Sequence, residues 1–232
     1  MVLKVLGSES AGNCYILETD AEVLILEAGI RLQYVKKALD YDLSKVLGCL
    51  VTHSHGDHAK CARDYMRCGI DIYASQETLE AKYLDGHRAK VYTETPFKVG
   101  SFKVKAFRVP HGVPCFGFLI SHPESGLILF ITDAAYIPYQ FNNLNQILIE
   151  ANYEDGLLTS DRAVGHHMSL DTCLEFLEKN EMGHVRNVVL LHLSSGNSDA
   201  KSFLQSVKEI APRAEVNIAD RGLEIVLNKF PF

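Results

Sequence analysis

Short apolar runs, several of them ended by a histidine, aspartate or glutamate, set the pattern of this chain. Residues 2–6, 14–18 and 22–26 are enriched in β-branched and large apolar side chains and read as strands. The spacing of Leu32, Val35 and Leu39 then predicts a helix. Residues 46–51 form a continuous apolar run with turn signals before it, the pattern of a buried strand. Residues 57–67 read as a helix and 70–73 as a short strand. Ser75 has the chemistry of an N-cap for a helix over 76–83, with Thr78 where an acidic residue is usual. From 90 to 130 strands alternate with turns punctuated by Pro96, Gly100, Pro110, Pro114 and Pro123. Residues 147–150 predict a strand, 170–177 and 201–210 amphipathic helices, and 223–227 a closing strand. Strands dominate each half, with helices between them. That is an α/β pattern and fits a four-layer αββα sandwich with two inward-facing sheets.

The length of 232 residues and an apolar content of 47% suit one domain, expected to span 1–232, with a sizeable core. No repeat, low-complexity tract or linker interrupts it. No apolar run reaches 18 residues, and the first 30 residues lack a basic segment followed by an apolar one. Neither membrane spanning nor secretion is therefore expected, and the cytoplasm is the predicted location. The six cysteines form no C-x-x-C pair and several lie in apolar runs, so reduced buried thiols are expected. A net charge of −6 argues against a broad basic nucleic-acid surface. It leaves room for a local one, because bound metal ions add positive charge where they sit.

The chemistry concentrates in Thr52-His53-Ser54-His55-Gly56-Asp57-His58, three imidazoles and one carboxylate at the end of a predicted strand. His53 and His55 are two apart, so both can point to one side of an extended strand end. The turn at Gly56 lets Asp57 and His58 face a neighbouring point. One loop could thus serve two metal ions a few ångströms apart, as binuclear hydrolases require. A polar loop that happens to be rich in histidine is the bland alternative. With ten histidines in the chain, three so close together favour metal.

This segment resembles the H-x-H-x-D-H motif of the metallo-β-lactamase superfamily, and further strand-end donors follow in the family's order. They are His111 after Phe107-Arg108-Val109-Pro110, Asp133 after Leu127-Ile128-Leu129-Phe130-Ile131-Thr132, and His192 after Asn187-Val188-Val189-Leu190-Leu191. Singly each is weak. Together the resemblance implies the fold, an αββα metallo-β-lactamase sandwich, and a ligand set. His53, His55 and His111 would hold one divalent ion, Asp57, His58 and His192 a second, and Asp133 would bridge them. Imidazole and carboxylate ligands with open positions suit zinc, with manganese or iron as alternatives.

Four other elements resemble the WalJ/YycJ-type branch, which is related to ribonuclease Z. Gly7-Ser8-Glu9-Ser10-Ala11-Gly12-Asn13-Cys14 is similar to the branch's G-S-x-S-x-G-N-C. Physically it is either an anion cradle, with Ser8 and Asn13 as substrate contacts, or a plain hairpin turn. Glu150-Ala151-Asn152-Tyr153 resembles E-A-N-Y, and Arg162-Ala163-Val164-Gly165-His166-His167-Met168-Ser169 resembles R…G-H-L-S, with His166 in place of the usual glycine. His192-Leu193-Ser194-Ser195-Gly196-Asn197-Ser198 matches H-L-S-x-x-N-N except at Ser198. In Leu26-Glu27-Ala28-Gly29, Glu27 stands where the superfamily usually has an aspartate bracing the metal loop. It keeps the charge but reaches one methylene further. There is no room for the extra β-CASP domain of larger relatives, and no long exosite arm.

The resemblance implies a metal-dependent phosphodiesterase, foremost a nuclease on DNA or RNA, in which a metal-bound hydroxide attacks phosphorus. Asp57 joins the catalytic group, and Glu150 with His167 would supply the proton for the leaving oxygen; His166 is the alternative histidine. Ser169, near a predicted helix N-terminus, would favour a phosphate. Expected partners are thus nucleic acid or a small phosphodiester, with no membrane. A hydrolase on a small thioester, lactone or cyclic phosphodiester is the second reading, and a metal-stabilised, non-enzymatic partner protein the third.

Overall fold

The computed structural model describes residues 1–155, 165–194 and 198–230. Along the chain run β1 (Val2–Glu9), β2 (Gly12–Glu18), β3 (Val23–Leu26), α1 (Leu32–Ala38), β4 (Val46–Leu50), α2 (Gly56–Ala59), α3 (Ala62–Arg67), β5 (Ile72–Ala74), α4 (Gln76–Ala81), β6 (Ala89–Val91), β7 (Phe97–Val99), β8 (Phe102–Val109), β9 (Cys115–His122), β10 (Gly126–Ile131), β11 (Gln146–Glu150), α5 (Leu170–Glu178), β12 (Asn187–Leu191), α6 (Ala200–Ile210), β13 (Glu215–Ile218) and β14 (Glu224–Val226). They divide into two compact units, Met1–Ala106 with Asp220–Val226, and Phe107–Ala219 with the residues from Leu227 onward.

The first unit carries a sheet in the order β14-β1-β2-β3-β4-β5-β6. Its pairs are antiparallel from β14 to β3 and parallel from β3 to β6. Parallel neighbours need crossovers, and helices α1 to α4 supply them. Leu32, Val35, Tyr65 and Leu79 of these helices form one core with Ile16, Ile25, Cys49 and Ile72 of the strands. The alternate strand residues Tyr15, Leu17, Leu24, Leu26 and Leu50 are equally buried. Burial on both faces is why these strands read as continuous apolar runs rather than as alternation.

The helix predicted over 57–67 is two short helices, α2 and α3, broken at Lys60 and Cys61. The cause lies in the segment after β3. The Cys61 N–H donates to the Ala28 carbonyl (2.9 Å). A Cβ on Gly29 would fall 1.6 Å from the Asp57 carbonyl oxygen, so only glycine lets that backbone press on the donor loop. The N-cap at Ser75 is as expected, its hydroxyl accepting from the Thr78 N–H.

In the second sheet the order is β13-β12-β11-β10-β9-β8-β7, with β10 to β13 parallel and β9–β10 antiparallel. β8 begins in the first unit and ends in the second. One face of this sheet, with Leu129, Ile131, Ile147, Ile149, Val188 and Leu190, packs on Cys173, Phe176, Phe203 and Val207 of α5 and α6. The edge strand β13 has no counterpart among the predicted elements. Its sequence, Glu215-Val216-Asn217-Ile218, is short and half polar, and it is recruited by pairing with β12. Among the described residues no helix is long and apolar enough to cross a membrane.

All six cysteines are free thiols, and only Cys68 is exposed. Burial pushes the Cys14 and Cys173 thiols up to about 12 and raises Cys49 and Cys61 as well. Because the thiolate is the reactive form, one fast-labelling thiol is expected in the native protein and six after unfolding. Counting labelled thiols with a chromogenic disulfide reagent checks this. Rapid native labelling of two or more would mean the buried set is accessible.

Candidate active site

The parallel strands deliver the chemistry. Ligands in open α/β sheets sit beyond the carboxyl ends of the strands. In the first unit β3 ends at Leu26, immediately before Glu27, and β4 ends at Leu50 and leads through Val51 and Thr52 into His53. In the second unit β10, β11 and β12 are neighbours, and they deliver Asp133, Glu150 and His192. Glu27, Asp133 and His192 each hold a positive φ (69°, 48° and 55°). Non-glycine residues seldom adopt that conformation, so each stands in a sharp, strained turn just past its strand.

Within the first unit the donor loop is tightly braced. The His53 ring lies 4.7 Å from the His55 ring and 4.2 Å from that of His58. His53 Nδ1 is held by the Thr52 hydroxyl at 2.9 Å. His58 Nε2 lies 3.1 Å from Asp57 Oδ2, and its Nδ1 is 3.6 Å from Glu27 Oε2. Glu27 is fully buried and also accepts from the Thr52 N–H (3.3 Å). Burial raises its carboxyl above the usual range, and His58 and Thr52 pull it back down. The longer side chain thus still reaches the back of the His58 ring.

Asn13 is fully buried. Its amide donates to Asp57 Oδ2 at 3.2 Å and lies 3.0 Å from His58 Nε2, while Tyr15 Oη donates to its Oδ1. Ser8 Oγ pairs with the Tyr15 hydroxyl at 2.7 Å. The segment that carries them is the β1–β2 hairpin. Asn13 therefore faces the donor loop itself.

Within the second unit Asp133, Glu150, His167 and His192 each offer one donor atom within 4.8 Å of the others. Glu150, the last residue of β11, is their hub. Its Oε1 accepts from His167 Nδ1 at 2.7 Å and lies 3.2 Å from His192 Nδ1; its Oε2 accepts from the Ala134 N–H (2.8 Å) and the Met168 N–H (3.2 Å). The imidazole beside Glu150 is that of His167; His166 is exposed and uses its carbonyl to accept from His111 Nδ1 at 2.6 Å. Ser169 is the N-cap of α5, accepting from the Thr172 N–H and bonded to the Thr172 hydroxyl. Arg162, Ala163 and Val164, with Ser195, Gly196 and Asn197, lie outside the described residues.

The donor set fits a cation. A carbonyl only accepts, so His111 Nδ1 carries a proton, and in the neutral ring Nε2 would present its lone pair. That nitrogen lies 3.8 Å from Asp133 Oδ2. Electron-rich atoms facing one another, with the outer ring nitrogens held by the protein, are the arrangement of metal-binding histidines. One supporting residue had no role assigned from sequence. Asn152 donates to the His192 carbonyl at 2.6 Å. The signal was the spacing of two from Glu150, which puts both side chains on one side of an extended segment.

A family model described as Beta-lactamase superfamily domain matches residues 25–193. The exodeoxyribonuclease YycJ of Bacillus anthracis is 26% identical over 234 aligned residues, 89% of this chain and 87% of that protein. The exodeoxyribonuclease WalJ of Streptococcus pneumoniae is 26% identical over 92% of this chain and 86% of its own. Among solved structures, the metallo-β-lactamase fold protein YhfI of Bacillus subtilis superimposes with a TM-score of 0.79 at 17% identity, covering 97% of this chain and 98% of that one. The fold is that α/β sandwich.

Proposed function

We propose that this chain, which belongs to the β-lactamase superfamily, is a metal-dependent phosphodiesterase that cuts nucleic acid. The relatives named as exodeoxyribonucleases support the substrate class. The observation that carries the reading is the Glu150–His167 contact at 2.7 Å beside Asp133 and His192. His53, His55 and His111 are proposed as ligands of one divalent ion, Asp57, His58 and His192 of a second, with Asp133 shared; zinc suits these donors. A single domain over 1–232 is the proposed organisation. Bound ions would supply a nucleophile from water at neutral pH and neutralise charge on the phosphate oxygens.

The residues do the rest. Glu150 accepts the Nδ1–H of His167 and so fixes its tautomer. The protonated ring then donates from Nε2 to the departing alkoxide oxygen. Asn13 and Glu27 hold Asp57 and His58 in place. Ser8 and Asn13 are proposed near the substrate phosphate through the hairpin they share, and Ser169 by fixing the start of α5 immediately after His167. Free thiols suit a reducing compartment, and the cytoplasm is the proposed location.

The relatives named as exodeoxyribonucleases point to a phosphodiester rather than a lactam. The metal-loaded protein is therefore expected to hydrolyse single- or double-stranded DNA or RNA and bis(p-nitrophenyl) phosphate, and to leave a cephalosporin intact. Turnover of the cephalosporin with no phosphodiester cleaved would overturn the reading. The net charge of −6 favours the alternative of a small substrate. Thioester, lactone and cyclic phosphodiester arms of the same assay distinguish it.

A further inference from the structure

The segment that follows Asp133 exposes two aromatic side chains, and its backbone is tied down at both ends. Tyr136 is 53% exposed and Tyr139 40%. The segment is fixed at its start by the Ala134 N–H on Glu150 Oε2 and the Ala135 N–H on the Pro110 carbonyl, both 2.8 Å. Its far end is fixed by the Phe141 N–H on Asn180 Oδ1, also 2.8 Å. Pro138 restricts the backbone between the tyrosines. The Tyr139 ring packs edge-on against Phe107 with centroids 5.5 Å apart.

Facing this segment, Thr172, Glu175, Phe176 and Lys179 line one stripe of α5 and its C-cap at helical spacing. Between them lies a cavity of about 590 Å³, lined by Tyr136, Pro138, Tyr139, Thr172, Phe176 and Lys179 among others. That volume is in the range of small-molecule sites. Both walls issue from the candidate site. Tyr136 is three residues beyond Asp133, at most about 11 Å along the chain, and α5 starts directly after His167, Met168 and Ser169.

We infer that this cavity is a nucleobase subsite, in which a base of single-stranded nucleic acid stacks against Tyr136 and Tyr139 beside the scissile phosphate. This rests on the nuclease reading and names the form of substrate that reading would take. The chemistry selects a base over a phosphate. Lys179 is paired with Glu175 at 3.1 Å, so the charges on the helix wall offset each other. What remains is aromatic surface with the polar groups of Thr172 and Gln140 for a base edge. A duplex keeps its base faces stacked on one another; an unpaired strand has them free. A ring already packed, as Tyr139 is on Phe107, loses little freedom when a base arrives.

The test measures binding of the metal-loaded full chain to a fluorescent, cleavage-resistant phosphorothioate strand, with a duplex of the same sequence and an abasic strand of the same length alongside. The unpaired strand is expected to bind tighter than the duplex. Y136A and Y139A should each weaken it about tenfold to a hundredfold, Y136F and Y139F should restore it, and the abasic strand should be insensitive to all four. Y136A also keeps the test sound if Y139A, which loses the Phe107 contact, folds poorly. Undiminished binding by both alanine variants, or no binding by the wild type, overturns the subsite. Wild-type hydrolysis of methyl p-nitrophenyl phosphate is assayed separately. Its absence overturns the phosphodiesterase reading, while the binding data still report on the subsite.

Discussion

Asp133→Asn is expected to lower the metal content of the purified protein and to reduce hydrolysis to background, and His55→Ala to do the same. The choice of asparagine isolates the cause. Asp133 sits at φ 48°, a conformation that asparagine tolerates well, so backbone strain is not altered. Asp133 is buried, 3.4 Å from His192 Nδ1, and lies in a cluster with the buried Glu150. Removing its negative charge should leave the metal-free protein as stable as before, or more so, because two buried carboxylates repel. The wild type should instead lose stability on chelation. At free ion on the order of 1,000 times Kd, one site contributes about 4 kcal/mol, or roughly 8–16 °C in melting temperature for a chain of this size. Elemental analysis and thermal melts with and without chelator measure both effects. A variant that keeps full metal, or a wild type whose melt ignores chelator, would show that these donors do not hold the ion.

His167→Ala is expected to keep its metal and most of its substrate affinity, yet to lose about 10²–10⁴ in rate, roughly 3–5 kcal/mol of barrier. The contact on which this stands is the 2.7 Å bond from Nδ1 to Glu150. A general acid matters most when the leaving oxygen is a poor one, so the loss should shrink for a nitrophenolate ester, which departs without a proton. Glu150 is the worse residue to probe. Its Oε2 satisfies two backbone N–H groups, of Ala134 and Met168. Glu150→Ala would strand both, at about 1–3 kcal/mol each, and would release His192 as well as His167. Equal losses on good and poor leaving groups, or metal depletion in His167→Ala, would assign His167 a different role. His166 would then be the residue to substitute, although its ring lies 5.8 Å from that of His111 and its carbonyl is what His111 holds.

The strands and the polar residues at their ends were legible in the chain for a local reason. A strand buried on both faces must be apolar throughout, so polar residues after the run mark its end. β11 and β12 run directly into Glu150 and His192, and β4 and β10 reach His53 and Asp133 through a threonine. Helix signals were equally local, as with Ser75 capping α4. What depended on distant partners was not legible. The break between α2 and α3 comes from the Ala28 carbonyl and from Asp57 pressing on Gly29, about thirty residues earlier in the chain. Strand β13 forms because β12 offers an unpaired edge, not because its own residues demand it. Sequence left His166 and His167 as alternatives; the Met168 N–H and the His167 ring meet on Glu150 only once β11 lies beside the start of α5. Asn13 read as either a substrate contact or a turn residue; that its amide meets Asp57 and His58 depends on the folded hairpin. The chain by itself thus determined which residues stand at strand ends, because burial acts on each strand separately. Tertiary structure alone decided which of them share hydrogen bonds and at what distance, because those bonds join residues of different elements, far beyond local reach along the chain.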